Sequence, residues 1–222
     1  MAGEHFTPTV LLRLGPVEVT STVGYSLLVS GVLITFALVV RRGLRLGGSR
    51  WQSVAESVIE HLESVLGDMS GANPRPYTPL IVTLALFIGV SNLLGLVPEM
   101  RAPTADFATT AALAIVVFLA VPFYGVRARG LGGYLRHYLE PAPLLLPLEI
   151  ITELSRTLAL AVRLFGNVMS EELIIAVLLG IAGLLVPVPL MMLAVLTGIV
   201  QAYIFAVLTA VYLSAAIRAH TS

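Results

Sequence analysis

The sequence contains no cysteine, and all of its basic residues are arginine; only 12% of the chain is charged. Without cysteine there is no disulfide framework, no thiolate nucleophile and no Cys-based metal site. The four histidines, His5, His61, His137 and His220, are too dispersed to form a metal-ligand cluster, and no pattern implies a cofactor. Formal net charge is zero, so no basic field argues for nucleic acid. The shortage of charge is the strongest exclusion, because soluble domains carry roughly 25% charged residues. The roughly ten-residue alternation of an outer-membrane barrel strand is missing as well. What the chain has instead is 57% hydrophobic residues and a mean hydropathy of +0.94. The fold class is therefore an all-α integral membrane protein.

The apolar runs give the spans. Val23–Val40 is long enough to cross a bilayer and ends at Arg41-Arg42. The residues before it lack the pattern of a cleaved secretory signal, so the run reads as a retained helix. "WQSVAESVIEHLESVLGDM" places Trp51, Val54, Val58, Leu62, Val65 and Leu66 at helical spacing with Glu56, Glu60 and Glu63 between them. This predicts an amphipathic helix at the membrane surface, ended by "SGANPRPYTP". Further spans are expected at Pro79–Val97 and Asp106–Gly125, then a polar, basic loop over 126–142. The last two runs, Leu148–Gly180 and Leu190–Arg218, contain no proline and are separated by "VPVP". The expected architecture is five membrane helices plus one amphipathic surface helix in a single membrane domain, 1–222. Its parts are the N-terminal segment and first span (1–42), the surface helix and linker (43–72), a helical hairpin (73–125), the loop (126–142) and a final long hairpin (143–222).

Arginine placement gives an orientation. Arg41, Arg42, Arg45, Arg50 and Arg75 lie in one connecting segment, and Arg127, Arg129 and Arg136 in another on the same side, whereas the opposite loops hold only Arg13 and Arg101. The positive-inside rule then puts the N-terminus outside and the C-terminus in the cytoplasm. As one helix, Leu148–Gly180 would rise about 50 Å against a hydrocarbon core of about 30 Å. With no breaker inside Leu148–Phe165, strong tilt is expected, roughly 50° from the normal.

The penultimate run also carries charge. Glu149, Glu153, Arg156, Arg163, Asn167 and Ser170 follow one another at spacings of four, three, seven, four and three. All but Glu153 fall within about 40° of Arg163 on a helix; Glu153 is about 80° away. A polar edge inside the bilayer faces protein or water rather than lipid. Glu172, nine residues from Arg163, is roughly 180° around and should serve another surface. Thr197, Gln201 and Tyr212 share a face of the last run. Glu149 and Glu153 with Arg156 fit salt bridges that hold a bundle together. Arg163 does not, because no acid lies three or four residues from it. A guanidinium at a helix centre costs about 2.5–3.5 kcal/mol on insertion scales, so its partner is expected on another chain.

"ELSRTLALAVRLFGNVMSEELI" resembles the signature of subunit a of F-type ATP synthases, and "SNLLGLVPEMRAPTADFATTAALA", "LRHYLEPAPLLLPLEII" and "IVQAYIFAVLTAVYLS" resemble further family segments in family order. The resemblance covers residues 73 to 215. It implies the membrane stator of a rotary ion motor with two long tilted helices, working against a ring of c subunits and held by a subunit b stalk. The translocated ions would be protons or sodium, in a bacterial inner membrane, with no active site in this chain. The matching positions are the essential arginine at Arg163, the asparagine at Asn167, the access-channel glutamate at Glu172, the glutamine at Gln201 and a glutamate at Glu149. Asp106, Glu153, Ser170 and Glu171 join them as candidate ion-path residues, although Asp106 equally fits a residue placed to favour a helix N-terminus. Relatives often have His or Glu seven residues before the glutamine, where this chain has Ala194, and Glu171 stands where Gly is usual. The short N-terminal part and "GLGGYLRHYLEP" are similar to the N-type branch, for which sodium transport has been proposed. A stand-alone ion channel or secondary carrier would explain the intramembrane polar residues but neither the unpaired Arg163 nor the two long helices. A purely structural anchor explains none of them.

Overall fold

The computed structural model describes residues 10–14, 17–43, 76–97, 100–139, 146–183 and 186–218, with isolated helical residues at 57, 60, 63, 64 and 67. The expected amphipathic helix of 43–72 lies almost entirely outside the described residues. Two short strands come first, β1 (Val10–Leu14) and β2 (Val17–Thr20), paired antiparallel with Arg13 opposite Glu18. The apolar-run reading had not singled out this hairpin; its sequence marks are short leucine- and valine-containing segments on either side of Gly15-Pro16.

Everything else described is essentially helical. Helix α1 is Ser21–Gly43 and ends on Arg41 and Arg42. Three of its hydroxyls are satisfied within the helix: Ser26 donates to the Thr22 carbonyl at 2.9 Å, Ser30 to the Ser26 carbonyl at 2.8 Å and Thr35 to the Gly31 carbonyl at 2.7 Å. An apolar helix whose polar atoms bond internally can face lipid, and Leu27, Ile34 and Val39 are all exposed. Helix α2, Thr78–Leu94, is the shorter apolar helix and starts with a proline in its first turn, where the missing N–H costs nothing. A single 3₁₀ turn, Pro103–Ala105, leads into α3, Phe107–Leu139.

Helix α3 corrects the expectation of a loop over 126–142. The chain stays helical to Leu139, broken at Gly130, whose φ of 75° and ψ of 162° only glycine adopts easily. Arginine and leucine are good helix formers, so charge there marks the exit from the membrane rather than the end of the helix. The apolar part able to span is Phe107–Ala128.

Helix α4 runs 37 residues, Leu146–Ala182, and stops at Gly183, where φ is 70°. Helix α5 runs 31 residues, Val188–Arg218. The α4 helix alone rises about 55 Å, longer than its apolar run indicated. Among the described residues four helices are long and apolar enough to cross a membrane, and α2 is a further, shorter apolar helix.

The two long helices follow one another and meet, yet each has its larger apolar contact elsewhere: α4 packs on α3, and α5 on α2 and α3. The core joins Leu84 and Ile88 of α2, Ala114 and Val117 of α3, Leu160, Leu164 and Val168 of α4, and Phe205 of α5. The α2–α5 contact uses small residues. Gly198, Ala202, Ala206 and Ala210 recur every fourth position of α5, the last three are buried, and a Cβ on Gly89 would sit 3.8 Å from that of Ala202. Lipid gives no hydrophobic drive for helices to associate, so close backbone approach through such a stripe is how they gain packing.

Candidate functional site

The polar edge of α4 meets α5 in an antiparallel seam. Glu171 accepts the Thr197 hydroxyl at 2.5 Å. Four residues earlier on α4 and four later on α5, Asn167 Nδ2 donates to Gln201 Oε1 at 2.7 Å. Eleven residues further along both helices, the Arg156 guanidinium lies over the Tyr212 ring, 5.6 Å from its centroid. The equal steps keep one register, so Thr197, Gln201 and Tyr212 share one face, as their spacing predicts, and that face looks at α4. Gln201 is only 4% exposed. A buried amide left unbonded costs about 1–3 kcal/mol, and Asn167 removes that cost.

Arg163 falls between these contacts. The same register brings Phe205, an apolar side chain, level with it. Arg163 is exposed on the chain's outer surface and makes no hydrogen bond or ion pair among the described residues. Arg156, by contrast, also lies 3.8 Å from Glu153, three residues earlier. Ser170 is exposed and Glu149 half-buried on the same edge.

Glu172 serves another surface, as its angular offset required. Its Oε1 accepts the Ala102 amide at 3.0 Å, and its Oε2 lies 3.4 Å from Arg101 Nε. It thus ties the α2–α3 connection to α4. Asp106 stands just before α3 and accepts the Ala108 amide at 2.9 Å, a capping role at a helix N-terminus. Sequence reasoning missed three groups here. Arg101 had counted only toward orientation. Asn92 donates to the Gly198 carbonyl at 3.1 Å and accepts the Thr104 hydroxyl at 2.6 Å, linking α2, α5 and the 3₁₀ turn. No spacing within one helix signals such links, because their partners lie on other elements.

These features define a polytopic helical membrane protein with polar groups aligned along one seam of its long helices and the Arg163 guanidinium turned outward. The chain belongs to the ATP synthase A chain family, whose model matches residues 23–214. It is 46% identical over 212 residues to ATP synthase subunit a 1 of Hahella chejuensis, covering 96% of this chain and 90% of that one. It is also 42% identical to ATP synthase subunit a 2 of Bradyrhizobium sp., over 98% of this chain and 97% of that one. With ATP synthase subunit a 2 of Pelobacter propionicus the identity is 44%, over 96% and 93%.

Proposed function

We propose that this chain is the stator subunit of a rotary ATP synthase in a bacterial inner membrane, with its N-terminus outside and its C-terminus in the cytoplasm. Its partners are a ring of c subunits, which carry one carboxylate each in mid-membrane, and a subunit b stalk. Two half-channels run along the α4–α5 seam, one opening to each side. The inner one begins near Glu149 and Glu153. The outer one lies along Asn167, Ser170 and Gln201, at the Glu171–Glu172 end of α4. Protons or sodium ions enter one, neutralise a ring carboxylate, travel around through lipid and leave by the other.

The observation that carries this reading is Arg163, a guanidinium exposed on an apolar surface with no partner among the described residues. Its counter-charge arrives on the rotor. A guanidinium attracts the bare ring carboxylate and displaces its ion, and because a guanidinium keeps its proton in proteins it relays none between the half-channels. The membrane potential then supplies about 2.3 kcal/mol per charge per 100 mV as torque.

The test is purification of the complex and its reconstitution into vesicles. The ring should co-purify with this chain. Arg163→Ala should assemble, lose ion-driven ATP synthesis and open a passive leak. Normal coupled synthesis by Arg163→Ala would refute the reading.

A further inference from the structure

The two oxygens of Glu172 meet donors of different kinds. Oε1 accepts the Ala102 amide at 3.0 Å, a donor fixed in place by the backbone. Oε2 lies 3.4 Å from Nε of Arg101, a donor near the tip of a long side chain. Charge-assisted N–H···O bonds usually measure about 2.7–2.9 Å, so this pair is made but not tight. Arg101 belongs to the α2–α3 connection, outside any helix, and its side chain is 29% exposed against 20% for that of Glu172. The guanidinium can therefore exchange the carboxylate for water by rotating its own side chain, while Ala102 keeps hold of Oε1. A carboxyl oxygen accepts a hydrogen bond whether the group is charged or neutral, so the amide serves both states. The other charges near this end of α4 are engaged elsewhere: Glu171 accepts the Thr197 hydroxyl of α5, and Asp106 accepts the Ala108 amide at the start of α3. The 3₁₀ turn and α5 from Val188 to Gln201 carry no charge. Among the described residues, Arg101 is the cation paired with Glu172.

We propose that Arg101 is the exchangeable counter-cation of the outer half-channel, a positioning residue that acts on the translocated ion through Glu172. The proposal rests on the rotary reading above, in which this end of α4 meets the outer water. With no ion bound, the guanidinium offsets a carboxylate whose burial would otherwise be costly. An arriving cation takes Oε2, neutralises the carboxylate and ends its attraction for the guanidinium, so Arg101 turns to the outer water. The site then gains one positive charge, that of the ion. When the ion moves on toward Asn167 and Gln201, the carboxylate is bare again and Arg101 returns. Competition from the guanidinium keeps the ion's hold on Glu172 weak enough for release in either direction.

The experiment measures ATP synthesis by the intact complex in vesicles while the coupling ion on the outer side, protons or sodium, is varied. Subunit content and thermal midpoint are recorded for every variant. Arg101→Gln removes the competing charge, so the half-saturating outer ion concentration should fall about tenfold, the scale of one guanidinium beside a carboxylate. Arg101→Met should do the same, and Arg101→Lys should stay close to the parent value because it keeps the charge. A fixed strap predicts otherwise: lower thermal midpoints and maximal rates in these variants at an unchanged half-saturating concentration. That pattern, a rise in the half-saturating concentration, a shift in Arg101→Lys equal to that in Arg101→Gln, or failure of both Arg101→Gln and Arg101→Met to assemble would overturn the proposal. Arg163→Ala is run alongside. If it synthesises ATP normally, the rotary reading itself falls; if it fails while the half-saturating concentration ignores Arg101, only the role of Arg101 falls.

Discussion

Gly198→Ala tests the packing that holds the seam in register. An ideal Cβ at Gly198 would lie 2.9 Å from the Cβ of Asn92 and 3.4 Å from its Nδ2. Both Cβ atoms are fixed by their backbones, so no rotamer change relieves the clash. Ordinary carbon–carbon contact is about 3.5–4.0 Å, and α2 and α5 would have to part by most of an ångström. That separation also stretches the 3.1 Å bond from Asn92 to the Gly198 carbonyl past useful length. Overpacking costs about 1–3 kcal/mol and the bond about 1 kcal/mol. Replacing a helical glycine by alanine returns about 1 kcal/mol. The net expectation is destabilisation by about 1–3 kcal/mol.

Gly89→Ala is the control, because its Cβ would meet that of Ala202 at 3.8 Å, an ordinary contact. It should be neutral or stabilising by up to about 1 kcal/mol. Denaturant unfolding in mixed micelles gives both values. Asn92→Gly, which removes the opposing Cβ, should abolish the overpacking part of the Gly198→Ala penalty, whereas Asn92→Ala should leave it in place. A Gly198→Ala protein as stable as Gly89→Ala would refute the close approach.

Arg163→Lys should also fail to drive synthesis but leak less than Arg163→Ala, since an ammonium keeps the attraction and loses the fixed protonation; flux assays in vesicles check it. Arg156→Ala should be mild, because a half-exposed pair three residues apart and one cation–π contact are each worth under about 1 kcal/mol; a collapse of pumping would show that Arg156 belongs to the ion path. The cysteine-free sequence makes Glu149→Cys a single-thiol probe. Water-soluble reagents should label it from the cytoplasmic side, and labelling only from outside would invert the proposed topology.

The spans were legible because lipid imposes continuous apolarity, and the polar edge of α4 because seven-residue spacing keeps Arg156, Arg163 and Ser170 on one face. The offset of Glu172 told that it served a different surface. It could not tell which, since Arg101 sits 71 positions away and meets it only through the fold of the α2–α3 connection. Helix α3 beyond Ala128 was misread as loop because arginine and glycine mark a membrane boundary without ending helicity. The small-residue stripe of Gly198, Ala202, Ala206 and Ala210 was present in the sequence. Its signal is a lack of side chain, which a search for apolar and charged groups passes over.

The spacing along the seam constrains how the proposed motor keeps its two half-channels apart. The nearest polar group outward of Arg163 is Asn167, about 6 Å along the axis, and the next charge inward on that face is Arg156, about 10 Å away. Apolar Phe205 and Leu164, both buried, lie between them. A barrier so short cannot depend on distance, because a few waters would bridge it. It must depend on the charge of one side chain. In the proposed motor, a charge with no partner among the described residues is part of the insulation: an internal carboxylate would neutralise the field that repels passing cations and would compete with the ring for the guanidinium. The apolar Phe205 level with Arg163, packed with Leu160 and Leu164, meets the same requirement.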